Sequence, residues 1–140
     1  MSFVSRQRIR FGQCDPAGIA YFPRLIELID VAVEDWTLQG TGISRRTLHF
    51  DLALGLPTVA IETRFERPCR LDEAIDIAID VSAVGNSSVA LSVVATCDGA
   101  PRYAATLTQV LINLGTGKAV RWPAVWRVQL ERQVLAEAVA

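Results

Sequence analysis

The feature that most restricts this chain is a change of hydrophobic period. Leu25, Ile26, Leu28, Ile29, Ala32, Val33 and Trp36 recur at helical spacing and form one wide apolar stripe. Arg24, Glu27, Glu34 and Asp35 fall on the opposite side. After Pro57 the period becomes two. In "TVAIETRFE" Val59, Ile61 and Phe65 alternate with Glu62, Arg64 and Glu66. In "AIDIAIDVSAV" Ile75, Ile77, Ile79 and Val81 form one face, and Asp76 and Asp80 lie on the other. "SVALSVVATC" and "RYAATLTQVLINL" continue as strands. One broad-faced helix and a set of strands must share a core, so the helix has to lie across one face of the sheet.

Turn residues set the connections. Pro23 suits a first helical turn, where its missing N–H costs nothing. Gly40 and Gly42 are expected to end the helix. Gly85-Asn86, Asp98-Gly99 and "GTGK" mark turns, the Asp-Gly pair being a strong hairpin signal. Connections this short predict antiparallel pairing of the last strands. "FVSRQRIRF" predicts an opening strand, with Ile9 and Phe11 opposite Arg8 and Arg10. Gly12 to Gly18 is expected to be a loop. Ile43 to Gly55 has no clear period and fits a short helix or an irregular cover. Pro123 to Val139 predicts a helix in which Val125, Val128, Leu130, Val134 and Leu135 are partly periodic. The expected architecture is α+β: a curved antiparallel sheet of about five strands wrapped around one long central helix. Residues 1–140 form one domain. The edge strands of such a sheet are naturally protected by pairing with a second copy in a symmetric dimer.

Composition removes several function classes. A net charge of −1 advertises no nucleic-acid partner and no anionic membrane. No apolar run is long enough to cross a bilayer, and Met1 leads into a charged segment rather than an apolar signal core. Cys14, Cys69 and Cys97 are odd in number and widely spaced, which suits a reducing cytoplasm better than a disulfide framework. With His49 as the single histidine and no C-x-x-C pair, a zinc site is not expected.

The chemistry concentrates in "FGQCDPAGIAYFPR", Phe11 to Arg24. Pro16 pushes Asp15 toward extended geometry. Gly18 permits a sharp turn or a close approach to a ligand. A helix starts near Tyr21 to Pro23, and its first N–H groups lack intrahelical partners. They can hold a negative oxygen, aided by the helix dipole. A carboxylate beside such donors is what acyl transfer needs: a nucleophile or base next to preorganised donors for the oxyanion. An Asp before a turn is also a common turn or cap residue, and spacing alone leaves both roles open.

"FGQCDPAGIAYFP" resembles the signature of the hotdog-fold thioesterases, in particular the 4-hydroxybenzoyl-CoA thioesterase type. The element order is similar over most of the chain, and the likeness is strongest from Arg8 to Asp30. The resemblance implies that Asp15, in the "CDPAG" motif, is the catalytic carboxylate. It further implies that the thioester carbonyl sits at the N-terminus of the long helix, where position makes the Phe22 backbone N–H the oxyanion donor. Gly18 and Tyr21 would line the substrate site. Asp30 matches the helix aspartate that contacts the aromatic acyl group; on the wheel it borders the apolar stripe beside Ile26, where a solvated role fits equally well. Related enzymes with a "DAGGVVYH"-like motif carry a histidine that "DPAGIAYF" lacks, which favours the aromatic-acyl branch.

The chain also departs from that pattern. Family members can carry a basic, Trp-containing turn that contacts the CoA nucleotide, and here the segment is the neutral "VGNSSV". Lys118, Arg121, Arg102 and Arg70 are the basic candidates for the CoA phosphates. Leu56 stands where the hydroxybenzoyl enzymes can have a polar pocket residue, which opens the question of the ring substituent.

Rival residues are weaker. Cys14 is nucleophilic by nature but has no evident base or positive neighbour. Glu34 falls on the polar helix face. "GNSSVA" is not a G-x-S-x-G elbow, and "GTGK" is too short for a phosphate-binding loop. The leading expectation is hydrolysis of an acyl-CoA thioester, with CoA as part of the substrate and neither a metal nor another cofactor required. The alternatives are a thioesterase for aliphatic acyl-CoA, a non-catalytic acyl-CoA-binding module and, less well matched, a hydratase of the same fold. A site shared between subunits of a homodimer or homotetramer is expected, because one helix on one sheet makes only a shallow cleft.

Overall fold

A computed structural model describes residues 2–139, with side chains through Val134. Strand β1 is Phe3–Arg8, and helix α1 is Phe22–Thr41. A two-residue strand β2, Leu54–Gly55, precedes β3 (Thr58–Phe65), β4 (Ala74–Val84), β5 (Ser88–Cys97) and β6 (Ala100–Val110). A second two-residue strand, β7 (Ile112–Asn113), and helix α2 (Ala124–Val139) complete the order. Leu135, counted in the periodic tail, lies outside the described side chains.

The five long strands form one antiparallel sheet in the order β1-β4-β5-β6-β3. On β4 the inward residues Ile75, Ile77, Ile79 and Val81 are buried, as the alternation requires. Val89, Leu91, Val93 and Ala95 do the same on β5, and Tyr103, Ala105 and Leu107 on β6. Against this face lie Leu25, Leu28, Ile29, Ala32, Val33 and Trp36 of α1. Burying each of the leucine, isoleucine and valine side chains is worth about 1.5–3 kcal/mol, so the stripe fixes how the helix sits on the sheet. A curved antiparallel sheet wrapped around one long helix is the hotdog arrangement. Helix α2 joins the same core through Trp126 and Leu130, and the Trp36 indole N–H donates to Gln133 at 2.9 Å.

Three boundaries differ from expectation, each for a local reason. Strand β1 stops at Arg8: Ile9 is buried and bonded to the Glu73 carbonyl, whereas Phe11 turns out to 82 % exposure in a 3-10 turn, Phe11–Gln13. Gly40 remains inside α1, where an added Cβ would come within 3.0 Å of Gln133 Nε2. Gly42 ends the helix in the left-handed region at φ +74°. The last strand breaks after Val110, because the Leu111 N–H turns to the Ser87 carbonyl and Ile112–Asn113 pairs with β2. The unclear cover holds one wide helical turn, Thr47–Asp51, before β2.

The placement of β3 departs most from strands joined by short turns. β3 does not pair with its neighbour in sequence, β4; it crosses to the far edge and pairs with β6. The connection Glu66–Glu73 is too long for a hairpin and is drawn to the start of β6, where the Arg102 carbonyl accepts both the Glu66 and Arg67 N–H groups. Ile61 and Phe65 face the helix side but stay 44 % and 43 % exposed, and a bulge displaces Val59 from the alternation. Among the described residues no helix is long and apolar enough to cross a membrane.

Candidate active site

Asp15 sits on a loop closed at its base by a bridge between Cys14 and Ala20. The Asp15 N–H donates to the Ile19 carbonyl at 2.9 Å, and the Gly18 N–H donates to the Asp15 carbonyl at 3.0 Å. The carboxylate folds back over this turn. Its Oδ1 accepts from the Ala17 N–H at 2.9 Å and from the Ile19 N–H at 3.3 Å. The side chain is exposed, and its Oδ2 makes no hydrogen bond among the described residues. Asp15 is therefore a turn residue that still presents one free carboxylate oxygen. Gly18 has φ +77° and an added Cβ would meet nothing within 4 Å, so the backbone angle, and not crowding, calls for glycine.

A second segment clamps this loop. The Leu71 N–H donates to the Gly18 carbonyl at 3.0 Å, and the Ala20 N–H donates to the Cys69 carbonyl at 2.8 Å. That segment is pinned by Arg102, which donates to the Pro68 carbonyl at 2.8 Å and to both Glu73 carboxylate oxygens at 2.7 and 2.8 Å. The guanidinium is the main reason the Glu73 carboxyl is pushed down to about 2. Arg102 is thus committed to the fold and is not available for CoA phosphates, which corrects the sequence expectation. Cys69 and Cys97 are buried nearby, and burial pushes both thiols up, away from nucleophilic use. Cys14, at the base of the Asp15 loop, has its thiol on the Arg10 carbonyl at 3.5 Å.

Helix α1 begins two residues beyond Ala20, at the loop's base. The Tyr21 N–H donates to the Gln13 carbonyl at 2.8 Å, and Tyr21 offers no side-chain cap. The Phe22 amide comes first in the helix and has no intrahelical acceptor, and Pro23 has no N–H at all. The helix therefore opens with an uncapped positive end directly after the aspartate loop. Aromatic rings frame it: Tyr21 to Phe22 at 5.5 Å, Phe22 to Phe65 at 5.9 Å, and Phe65 to Tyr103 at 6.0 Å between centroids. The Tyr103 hydroxyl donates to the Leu25 carbonyl at 3.2 Å, and burial pushes its pKa up. A shallow cleft of about 280 Å³ runs between Phe22, Leu25, Phe65 and Arg67. Asp15 is not among its lining residues.

The other expected residues lie apart. Asp30 is exposed and lines a separate cleft of about 370 Å³ with Arg45, His49, Leu56, Thr58 and Ile112. It stands eight residues along α1 from Phe22, about 12 Å at the helical rise. Lys118 and Arg121 are exposed beside β7, at the end of the sheet where β6 finishes; Asp15 lies at the end where β6 starts. Within one chain the length of β6, roughly 30 Å, separates them. Glu34 is exposed on α1. Arg67 at the Phe22 cleft and both Arg45 and His49 at the Asp30 cleft were not legible in sequence, because they come from connections without a period.

These features coincide with a family match. The chain belongs to the thioesterase-like superfamily, whose family model matches residues 9–136. It is 32 % identical over 77 residues to the 4-hydroxybenzoyl-CoA thioesterase of Pseudomonas sp. (strain CBS-3), a match covering 54 % of this chain and 55 % of that protein. The likeness to the 1,4-dihydroxy-2-naphthoyl-CoA hydrolase of Thermosynechococcus vestitus is 26 % over 104 residues, covering 74 % and 70 % respectively. The first of these matches spans about half of the relative's length. Among solved structures, a Staphylococcus aureus protein in complex with CoA superimposes with TM-score 0.89 at 15 % identity, covering 96 % of this chain and 85 % of that one. A 1,4-dihydroxy-2-naphthoyl-CoA thioesterase from Synechocystis gives TM-score 0.83 at 17 % identity, covering 93 % and 96 %. At these identities the structural likeness is one of fold.

Proposed function

We propose that the protein hydrolyses the thioester of an aromatic, benzoyl-type acyl-CoA to the free acid and CoA. The observation that carries this reading is the juxtaposition of the Asp15 loop with the uncapped start of α1. Support also comes from family membership and from relatives named for aromatic acyl-CoA thioesters.

In this mechanism the thioester carbonyl oxygen rests on the Phe22 N–H. The free oxygen of Asp15 then attacks the carbonyl carbon, expelling CoA thiolate and leaving a mixed anhydride that water opens. In the equivalent alternative, Asp15 takes a proton from water and that water attacks. Both routes end in one acid and one thiol. The developing oxyanion gains from the Phe22 amide and the helix dipole, a kind of interaction whose loss costs ~10²–10³ in rate in known enzymes. Gly18 keeps the turn tight, and Tyr21 walls the site.

The Phe22 cleft is shallow in one chain, and the β3 edge beside it is open. Two copies joined edge to edge at β3 deepen it, and the second copy supplies its Asp30 cleft to the acyl end. Lys118 and Arg121 of the second copy, together with Arg67 and Arg70 at this end, are the basic groups for the CoA phosphates.

The test is thiol release from a panel of acyl-CoAs. Asp15→Asn keeps an oxygen for the Ala17 and Ile19 amides, so the fold should survive while turnover falls by about 10²-fold or more. Unchanged benzoyl-CoA hydrolysis by this variant would sink the assignment. CoA-ester binding with no thiol release from any ester would make the protein a binding module.

A further inference from the structure

Two buried polar atoms near the Asp30 cleft have no partner: Arg45 Nε and Gln109 Oε1. Arg45 lines the cleft and makes no salt bridge among the described residues; its one contact of note is Nη2 to Thr37 Oγ1, at 3.4 Å. Gln109 is 1 % exposed and reaches the cleft's rim through Thr58, to whose hydroxyl its Nε2 donates at 3.2 Å. The rest of the lining is mainly apolar: Leu56, Pro57, Ile112 and Leu114. A buried guanidinium N–H without a partner is costly unless something supplies an acceptor. Burial lowers its pKa, and the charges of Asp30 and Glu34 work against that, neither standing within ion-pair distance.

We propose that Arg45 is the residue that selects acyl groups carrying an oxygen acceptor at their far end, a ring hydroxyl or a carboxylate. This deepens the thioesterase reading and rests on it for the identity of the ligand. The planar guanidinium donates to the acceptor oxygen. Asp30, on the same cleft, can accept the hydrogen bond of a hydroxyl. A carboxylate meets the same guanidinium but faces the Asp30 charge. An unsubstituted or methyl-capped ring leaves Arg45 as it stands, without an anionic or ligand partner.

The experiment compares 4-hydroxybenzoyl-CoA, 4-carboxybenzoyl-CoA and 4-methylbenzoyl-CoA as substrates, and calorimetric binding of the three corresponding free acids. Wild-type protein should favour the oxygenated groups over the methyl group by about tenfold or more, the worth of one charge-assisted hydrogen bond. Arg45→Met should collapse that ratio through KM and through acid affinity, and Arg45→Lys should restore part of it. The hydroxyl and carboxylate arms tell which oxygen is read. A wild-type protein with no preference overturns the proposal even if Arg45→Met does not fold. So does a preference that survives in Arg45→Met, or one that vanishes only in Asp30→Asn. Arg45-dependent acid binding without hydrolysis of any ester would remove the thioesterase reading and leave the role of Arg45 standing.

Discussion

Strands β4 and β3 carry the same kind of sequence and meet opposite fates. Both alternate apolar with charged residues. On β4, Ile75, Ile77, Ile79 and Val81 disappear into the core, between partners β1 and β5. On β3, Ile61 and Phe65 point to the same side of the sheet yet remain nearly half exposed, with β6 on one flank and, among the described residues, no strand on the other. A period of two specifies a strand and its apolar face. The position of the strand in the sheet decides whether that face is covered by this chain or left for something else. Here the uncovered strand runs beside Phe22 and the start of α1, which makes it part of the candidate site rather than part of the scaffold.

The comparison breaks most visibly under truncation of one isoleucine on each strand. Ile77→Ala should cost ~2–5 kcal/mol in denaturant unfolding, because it leaves a cavity in a close-packed layer. Ile61→Ala should cost about 0.5 kcal/mol when measured at low protein concentration. Equal costs would mean that β3 is as much core as β4. A second copy on the β3 edge sharpens the contrast further. Ile61→Lys places a charge on that edge, and sedimentation should shift from dimer toward monomer while secondary structure holds. A wild-type chain that stays monomeric at micromolar concentration would leave β3 without a partner and the site shallow.

The smallest effect lies in the Glu66–Glu73 connection between the two strands. Arg102 holds Glu73 down at about 2, against an ordinary 4.5. A depressed carboxyl contributes stability that is fully present above its unfolded value and is lost as pH falls through its folded value. This contribution should therefore fade between pH 4.5 and about 2. Glu73→Gln should flatten the acid limb of the stability curve over that window and change little at pH 7 beyond the lost pair. A wild-type acid limb that Glu73→Gln does not alter would show that the ion pair stays loose in solution.

Legibility followed the physics of each region. Helix α1, strands β4 to β6 and the Asp98-Gly99 hairpin were readable because local periodicity and turn chemistry act through near neighbours. The left-handed angles at Asp98 (φ 51°) and Gly99 (φ 79°) show the turn residues doing what their types allow. Asp15 stood out because Pro16 and Gly18 flank it in a recognisable motif. Arg45, His49 and Arg67 did not, since each enters a cleft from a connection without a hydrophobic period, whose course depends on distant contacts. Arg102 was misread for the same reason: nothing near it in sequence announces Glu73.

By itself the sequence determined which segments coil, which extend and which side of each is apolar, because backbone sterics and side-chain period are local. It also marked the aspartate loop at the head of the long helix. Only the tertiary structure decided that β3 crosses to the open edge, that Arg102 is tied to Glu73, and that Arg45 and Asp30 share one cleft. Those outcomes depend on which distant surfaces bury most together once the chain has collapsed, and no short window of residues contains that information.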